Sequence, residues 1–177
     1  MNDKPLRGGP LYKIGFPGFV VNEHVGIALG SARRGLDAFI EKETGRRRGF
    51  ASEASKLEAR PPVQRLIGVA DLKLRAARNL AIEINDVAWN TVRADKEISL
   101  RLQGEMRAVA THCTEIALHI VTEAFRYSGG SAVYDSNPLQ QCLRDMNVAA
   151  QHLMVNGIAY ENLGQIILGL PGADPMR

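Results

Sequence analysis

Seven apolar residues, Leu102, Met106, Val109, Cys113, Ile116, Ile120 and Ala124, follow one another at steps of three and four along a single segment. That spacing lays them on one stripe of a long helix, and such a stripe is the seam of a bundle whose helices cross at a shallow angle. The segment is interrupted only by Gly104, and Asp95 stands where its N-cap is expected. Gly129-Gly130 stops it, because glycine adopts the left-handed backbone conformation that ends helices. A chain carrying such a seam must supply partner helices for it.

Two partners precede it. From Phe19 to about Thr44, the residues Val25, Ala28, Leu29, Ala32, Leu36, Phe39 and Ile40 form one stripe, opposite Arg33, Arg34, Asp37 and Glu41. Pro61-Pro62 suits the first turn of another helix, where a missing N–H costs nothing. Its stripe runs through Leu66, Ala70, Leu74, Ala77, Leu80 or Ala81, Ile84 and Val87 or Ala88 to about Val92, with Trp89 expected to cap the core. Between the two, the segment from Gly45 to Arg60 has no sustained period and reads as a loop.

Beyond the seam, Asn137-Pro138 is a start signal, a capping side chain followed by proline at the first helical position. A shorter helix should follow to about Ala150, then a turn or kink at Asn156-Gly157, then an apolar segment from Ile158 to Leu168 that Pro171 ends. Residues 1–17, with Gly8-Gly9-Pro10, Gly15 and Pro17, read as an arm entering a domain that spans 18–177. The fold class is all-α, an up-and-down helical bundle of three long helices plus one or two shorter C-terminal ones. Bundles this elongated often pack against copies of themselves.

The net charge of +3 comes from basic and acidic residues interleaved along the chain, without the cationic stripe that nucleic-acid binding needs. No apolar run is long enough to span a bilayer, and the N-terminus has no secretory pattern. Cys113 and Cys142 lack a C-x-x-C spacing, which excludes a zinc ribbon or disulfide scaffold and favours a reducing, cytoplasmic compartment. Both read as small buried hydrophobes. No nucleophile elbow, Walker loop or paired-carboxylate signature is present.

Several constellations have more than one reading. His112, Glu115 and His119 share a helix face, with Glu123 a turn further, but no second helix repeats the motif, and a polar helix face is favoured over a metal site. The run Arg46-Arg47-Arg48 could grip a phosphate through its guanidinium forks, although a charge run in a loop is more often solvated. His24 has no identifiable partner and reads as a surface or packing residue. Gly129 to His152 stands out more: a glycine pair permitting close backbone approach, a capped helix N-terminus, Arg144-Asp145 and a histidine fall within one short stretch. Each has a structural explanation, with Arg144 and Asp145 as a simple pair. Together they suggest a bound ligand.

The run Gly-Gly-Ser-Ala-Val-Tyr-x-Ser-Asn-Pro-Leu-Gln-x-Cys-x-Arg-Asp-x-Asn-x-Ala-x-Gln-His, from Gly129 to His152, resembles the C-terminal helical domain of the acyl-CoA dehydrogenase superfamily. It is most similar to the type 2 branch, flavin-dependent monooxygenases that hydroxylate phenolic steroids and oxidise dibenzothiophene. The resemblance runs back through all three long helices to Arg7-Gly-Gly-Pro-Leu-Tyr12. It implies a flavin, FMN or FAD, approached by the glycine-pair loop of a neighbouring subunit, with Gly129, Gly130 and Ser131 as cofactor contacts. Arg47-x-x-Phe50 resembles the Arg-x-x-Phe that touches flavin across the interface in dehydrogenases, which adds Arg47 and Phe50.

Dehydrogenases of this kind commonly carry a Gln three residues before the glycine pair, where this chain has Arg126. Their catalytic glutamate commonly lies eight residues after the Arg-Asp aspartate, a position held here by Leu153, which takes no proton. His152 precedes it, as in the monooxygenase branch, and the resemblance makes His152 the catalytic candidate, placed to hydrogen-bond the hydroxyl of a small aromatic or heterocyclic substrate. The resemblance further implies a dimer or tetramer and leaves the family's N-terminal helical and middle β-domains outside this sequence. They would belong either to a longer protein of which this is a fragment or to a separate chain. The alternatives are an acyl-CoA dehydrogenase fragment and a non-catalytic oligomerisation module.

Overall fold

The computed structural model describes residues 8–45 and 56–176. Among them five helices carry the architecture: α1 (Phe16–Glu43), α2 (Pro61–Arg93), α3 (Leu100–Ser128), α4 (Pro138–Ala149) and α5 (Ile158–Ile167), with single 3-10 turns at Pro10–Lys13, Leu57–Ala59 and Gly129–Val133. No strand occurs among these residues, and the all-α expectation holds. Helix α3 is the axis. It packs against each of the other four helices, so it buries residues all round, from Leu102 and Met106 to Arg107, Thr111 and Thr114.

The three long helices, of 28, 33 and 29 residues, each extend roughly 40–50 Å at the usual rise. Along them the core forms three successive clusters. At one end Ile14, Val25, Val92, Ile98, Leu102, Met106, Met154 and Val155 come together. The middle holds Ala32, Leu36, Leu74, Ile120, Val121, Cys142 and Met146, and the far end Phe39, Leu57, Val63, Ala132 and Leu139. Burying these side chains is worth roughly 1.5–3 kcal/mol for each large one, which is what holds the stripes together.

Several local expectations are corrected. Helix α1 begins at Phe16 rather than Phe19, because Pro17 fits the first turn. A Cβ on Gly18 would lie 2.6 Å from the Met106 sulfur, so glycine there lets α1 approach α3. Of residues 8–17, Ile14 is only 5 % exposed and packs in the first cluster. Asp95 is not the N-cap of α3: with φ of 58° it closes α2, while the Ser99 hydroxyl accepts the Leu102 N–H at 3.2 Å. On α2 the inward residues are Ala81 and Ala88, whereas Leu80, Val87 and Trp89 are exposed, so Trp89 does not cap the core among the described residues. Gly104 is a contact rather than a break, since a Cβ there would meet Ile166 of α5 at 2.9 Å.

No helix of the described residues is long and apolar enough to cross a membrane. Between α1 and α2 lies a groove of about 650 Å³ with an apolar floor that includes Leu29, Leu74 and Ile82 and a polar rim that includes Arg33, Arg78 and Asp86.

Candidate functional site

The stretch from Gly129 to His152 is split by α4. Asn137 caps it, its side-chain oxygen accepting the Leu139 N–H at 3.1 Å, and twelve residues later the helix ends at Ala149. The twelve residues of α4 span about 18 Å at 1.5 Å per residue, and the glycine pair precedes its N-terminal end while His152 follows its C-terminal end. Closeness in sequence is not closeness in space here.

At the N-terminal end, Gly129 terminates α3 with φ of 62° and ψ of −147°, a positive-φ backbone outside the left-handed helical region that essentially only glycine adopts. Gly130 is exposed, its φ is not left-handed, and a Cβ there would meet nothing within 4 Å. Among the described residues neither backbone conformation nor packing requires glycine at 130. Ser131 is half-buried, its hydroxyl 2.8 Å from Glu43 Oε2 and 2.9 Å from the Ser128 carbonyl, so its single proton is directed into the protein. Glu43, only 1 % exposed, also accepts from Asn137 Nδ2 at 2.8 Å. One carboxylate thus joins the end of α1, the glycine loop and the N-terminus of α4.

At the other end, the chain turns after α4 through Gln151, His152 and Leu153, all exposed. His152 Nδ1 accepts the Met154 N–H at 3.2 Å, the local side-chain-to-backbone bond that shapes the turn. The Met154 carbonyl in turn accepts from Arg107 Nε at 3.4 Å, and Arg107 Nη1 donates to the Pro175 carbonyl at 2.6 Å. Arg107 is buried, which lowers its pKa, with Asp174 acting in the opposite sense. The His24 ring of α1 lies against His152, centroids 5.3 Å apart and planes tilted by 39°. His24 is 8 % exposed and its Nε2 has no hydrogen-bond partner. Burial, and after it the neighbouring His152, holds the His24 imidazole below its ordinary value.

The remaining candidates fall elsewhere. Arg46, Arg47, Arg48 and Phe50 lie outside the described residues. Arg126 is exposed and pairs with Glu123 at 3.0 Å. Arg144 and Asp145 are both exposed, and no ion pair joins them, as adjacent helix positions do not face one another. Glu115 accepts the Tyr160 hydroxyl at 2.8 Å, and burial with that carboxylate raises the Tyr160 pKa. Among the described residues no three His, Cys, Asp or Glu side chains are gathered to hold a metal. Cys113 and Cys142 are buried free thiols; burial pushes Cys113 up to about 11 and also raises Cys142.

Glu43 and Arg107 escaped the sequence reading, and His24, read as a surface or packing residue, had its partner His152 missed. Glu43 continues the inward register Leu36, Phe39, Glu43, and an acid in an apolar register was the available sign. His24 stands three residues after Val21 on the same face. Arg107 gave no sign, because a helix packed on several sides has no single stripe.

A bundle of three long antiparallel helices closed by two short ones, with a histidine turn at one end and a glycine-pair loop at the other, defines a domain class before any relative is considered. Residues 23–157 match the model of the acyl-CoA dehydrogenase C-terminal domain, and the chain belongs to that family. It is 28% identical over 172 residues to indole-3-acetate monooxygenase of Pseudomonas putida, covering 96% of this chain and 44% of that protein. It is 26% identical to the pigment production hydroxylase of Rhodococcus sp. (strain ATCC 21145), covering 97% of this chain and 43% of that protein. In structure it is similar to 3-HSA hydroxylase from Rhodococcus sp. RHA1, with a TM-score of 0.84, 24% identity and coverage of 96% and 43% of the two chains. XiaF from Streptomyces sp., in complex with FADH2 and glycerol, gives a TM-score of 0.84 at 20% identity, with coverage of 97% and 43%. The chain thus spans less than half the length of these relatives.

Proposed function

We propose that this chain is the C-terminal helical part of a flavin-dependent monooxygenase that hydroxylates a small aromatic or heterocyclic substrate with reduced flavin and oxygen. The observation that carries the reading is the turn after α4. There the exposed His152 ring is tied through Nδ1 to a backbone N–H, and Leu153, at the position of the usual dehydrogenase base, is 79 % exposed. A leucine presented there supplies no base for α-proton removal, which disfavours the acyl-CoA dehydrogenase alternative. The relatives named as a monooxygenase and a hydroxylase support the same choice.

A flavin fits the opposite end. The open space beside Gly130, where this chain has no reason of its own to lack a side chain, suits the close approach of a planar ring system. Gly129, Gly130 and Ser131 would contact it through their backbone, since the Ser131 hydroxyl is turned towards Glu43. FADH2 in XiaF favours FAD over FMN. When bound, reduced flavin supplies the electrons that activate oxygen for transfer to the substrate ring.

The roles of the chain's own residues follow from their hydrogen bonds. With Nδ1 accepting from Met154, the neutral His152 carries its proton on Nε2. It therefore offers a donor to a substrate hydroxyl or ring nitrogen, and its part is to orient and polarise that group. Because the glycine loop and His152 lie beyond opposite ends of α4, a helix about 18 Å long, a second copy contributing one of them is the simpler way to bring both to one ring system. That supports a dimer or tetramer, with the remaining walls supplied by β-rich and helical domains upstream or on a separate chain. The buried free thiols favour a cytoplasmic setting.

The test is substrate-dependent oxygen consumption by this chain joined to the upstream domains its relatives carry. His152→Ala should lower the rate about 100-fold, the usual scale for a positioned hydrogen-bonding group, and His152→Gln should recover part of it. An unchanged rate in His152→Ala removes the histidine from the reaction. A monomer by light scattering at micromolar concentration would count against the shared site.

A further inference from the structure

His24 is an expensive way to fill its position. Its Nε2 is buried without a donor or acceptor opposite, its burial disfavours the charged form, and it stands on the inward face of α1 between Val21 and Ala28, where a leucine would leave no polar atom unmet. A residue selected only for packing would not be an imidazole. What an imidazole has here that a leucine lacks is a flat ring against His152, at 5.3 Å and 39°.

We propose that His24 is a positioning residue for His152. The buried His24 ring forms the inner wall against which the exposed His152 ring is held. The Met154 N–H fixes Nδ1 from a second direction, and Arg107 holds the Met154 peptide through its carbonyl. Two contacts from two different elements define the plane and the tautomer of a ring that would otherwise rotate in solvent, leaving Nε2 as its one free nitrogen. The neutral His24 also adds no second positive charge beside a ring whose task is to share a proton with a substrate group. Helix α1 thereby takes part in the site through a side chain that touches no substrate.

The proposal rests on His152 being the working imidazole, but its test needs neither flavin nor turnover. The chain is labelled with ¹⁵N, and the side-chain nitrogens of His24 and His152 are followed by long-range ¹⁵N–¹H correlation in the wild type, His24→Leu and His24→Gln, beside thermal unfolding. In the wild type, His152 should show an unprotonated Nδ1 and a protonated Nε2, with ring protons shifted by the His24 ring current. In His24→Leu those signals should move towards the values of a freely rotating, tautomer-averaged histidine. The melting temperature should hold or rise, by about 2–4 °C, as the unmet Nε2 disappears. A structural role alone would lower the melting temperature and leave the His152 nitrogens where they were. Unchanged His152 signals overturn the proposal whatever the melting temperature does. Should the leucine variant fail to fold, the same comparison in His24→Gln decides it. Loss of turnover on His152→Ala in the assembled enzyme is a separate result, so failure of the pairing and failure of the monooxygenase reading are distinguishable.

Discussion

The two ends of α4 are built on opposite principles. At its N-terminal end the polar groups are enclosed and satisfied: Glu43 receives Ser131 and Asn137, and Asn137 caps the helix. At its C-terminal end they are left open. His152 is exposed with a single hydrogen bond, and His24 behind it has a nitrogen with no partner. A closed network rigidifies a loop, whereas the buried, unmet His24 Nε2 costs stability that a purely structural turn has no reason to carry. The first end reads as an anchor that presents a backbone, the second as a place where side chains act.

The strongest way to break this contrast is to remove the anchor. Glu43→Ala removes the carboxylate that the Asn137 amide and the Ser131 hydroxyl share, leaving them only the Ser131 and Ser128 carbonyls, and should destabilise the chain by about 1–3 kcal/mol in chemical denaturation. Glu43→Gln keeps one acceptor and should cost about 1 kcal/mol. The loss should concentrate in the glycine loop and the first turn of α4, seen as faster amide exchange at Ser131 and Leu139, while Met154 exchanges as before. Faster exchange at Met154 to the same degree would mean that the two ends are not independent.

A smaller effect tests the open end through pH. His24 in the folded chain lies below its ordinary 6.5, so above that value both folded and unfolded forms are neutral there and the group makes no pH-dependent demand. As pH falls below 6.5 the unfolded chain takes the proton first, and stability is lost progressively down to the depressed folded value. Melting curves between about pH 5 and 7.5 should therefore show the wild type losing more stability on acidification than His24→Leu. Parallel curves would show that His24 does not titrate as its burial requires.

How much of this was legible in the residues divides along the same line. The seam of α3, the two stripes before it, the Asn137-Pro138 start and the Gly129 stop are local patterns, and the structure realises them. The cap of α3 was misplaced because Asp95 and Ser99 are both capping residues, and only the closing of α2 at Asp95 decides between them. Trp89 was misplaced because a stripe does not say which of two adjacent columns turns inward; the smaller Ala88 does, next to α3. The site was legible as a motif and not as a geometry. Gly129 and His152 are close in number, yet the helix between them separates them, and Glu43, His24 and Arg107, which set their surroundings, come from distant parts of the chain. Long-range pairing leaves no period in a single sequence.

The finest test concerns Gly130, where the two ends should differ in kind. Gly129→Ala should cost about 1–3 kcal/mol of stability, because its φ of 62° with ψ of −147° is a backbone region that essentially only glycine occupies. Gly130→Ala should change stability by no more than about 0.5 kcal/mol, since its φ is ordinary and a Cβ there meets nothing within 4 Å. If a planar cofactor approaches that backbone, the same methyl becomes an intrusion of the kind that costs about 1–3 kcal/mol in a packed site. Flavin affinity of the assembled enzyme should then fall roughly tenfold in Gly130→Ala with the melting temperature of the chain unmoved. Affinity equal to that of the wild type would leave the glycine without a ligand to explain it, and would move the cofactor contact away from this end of α4.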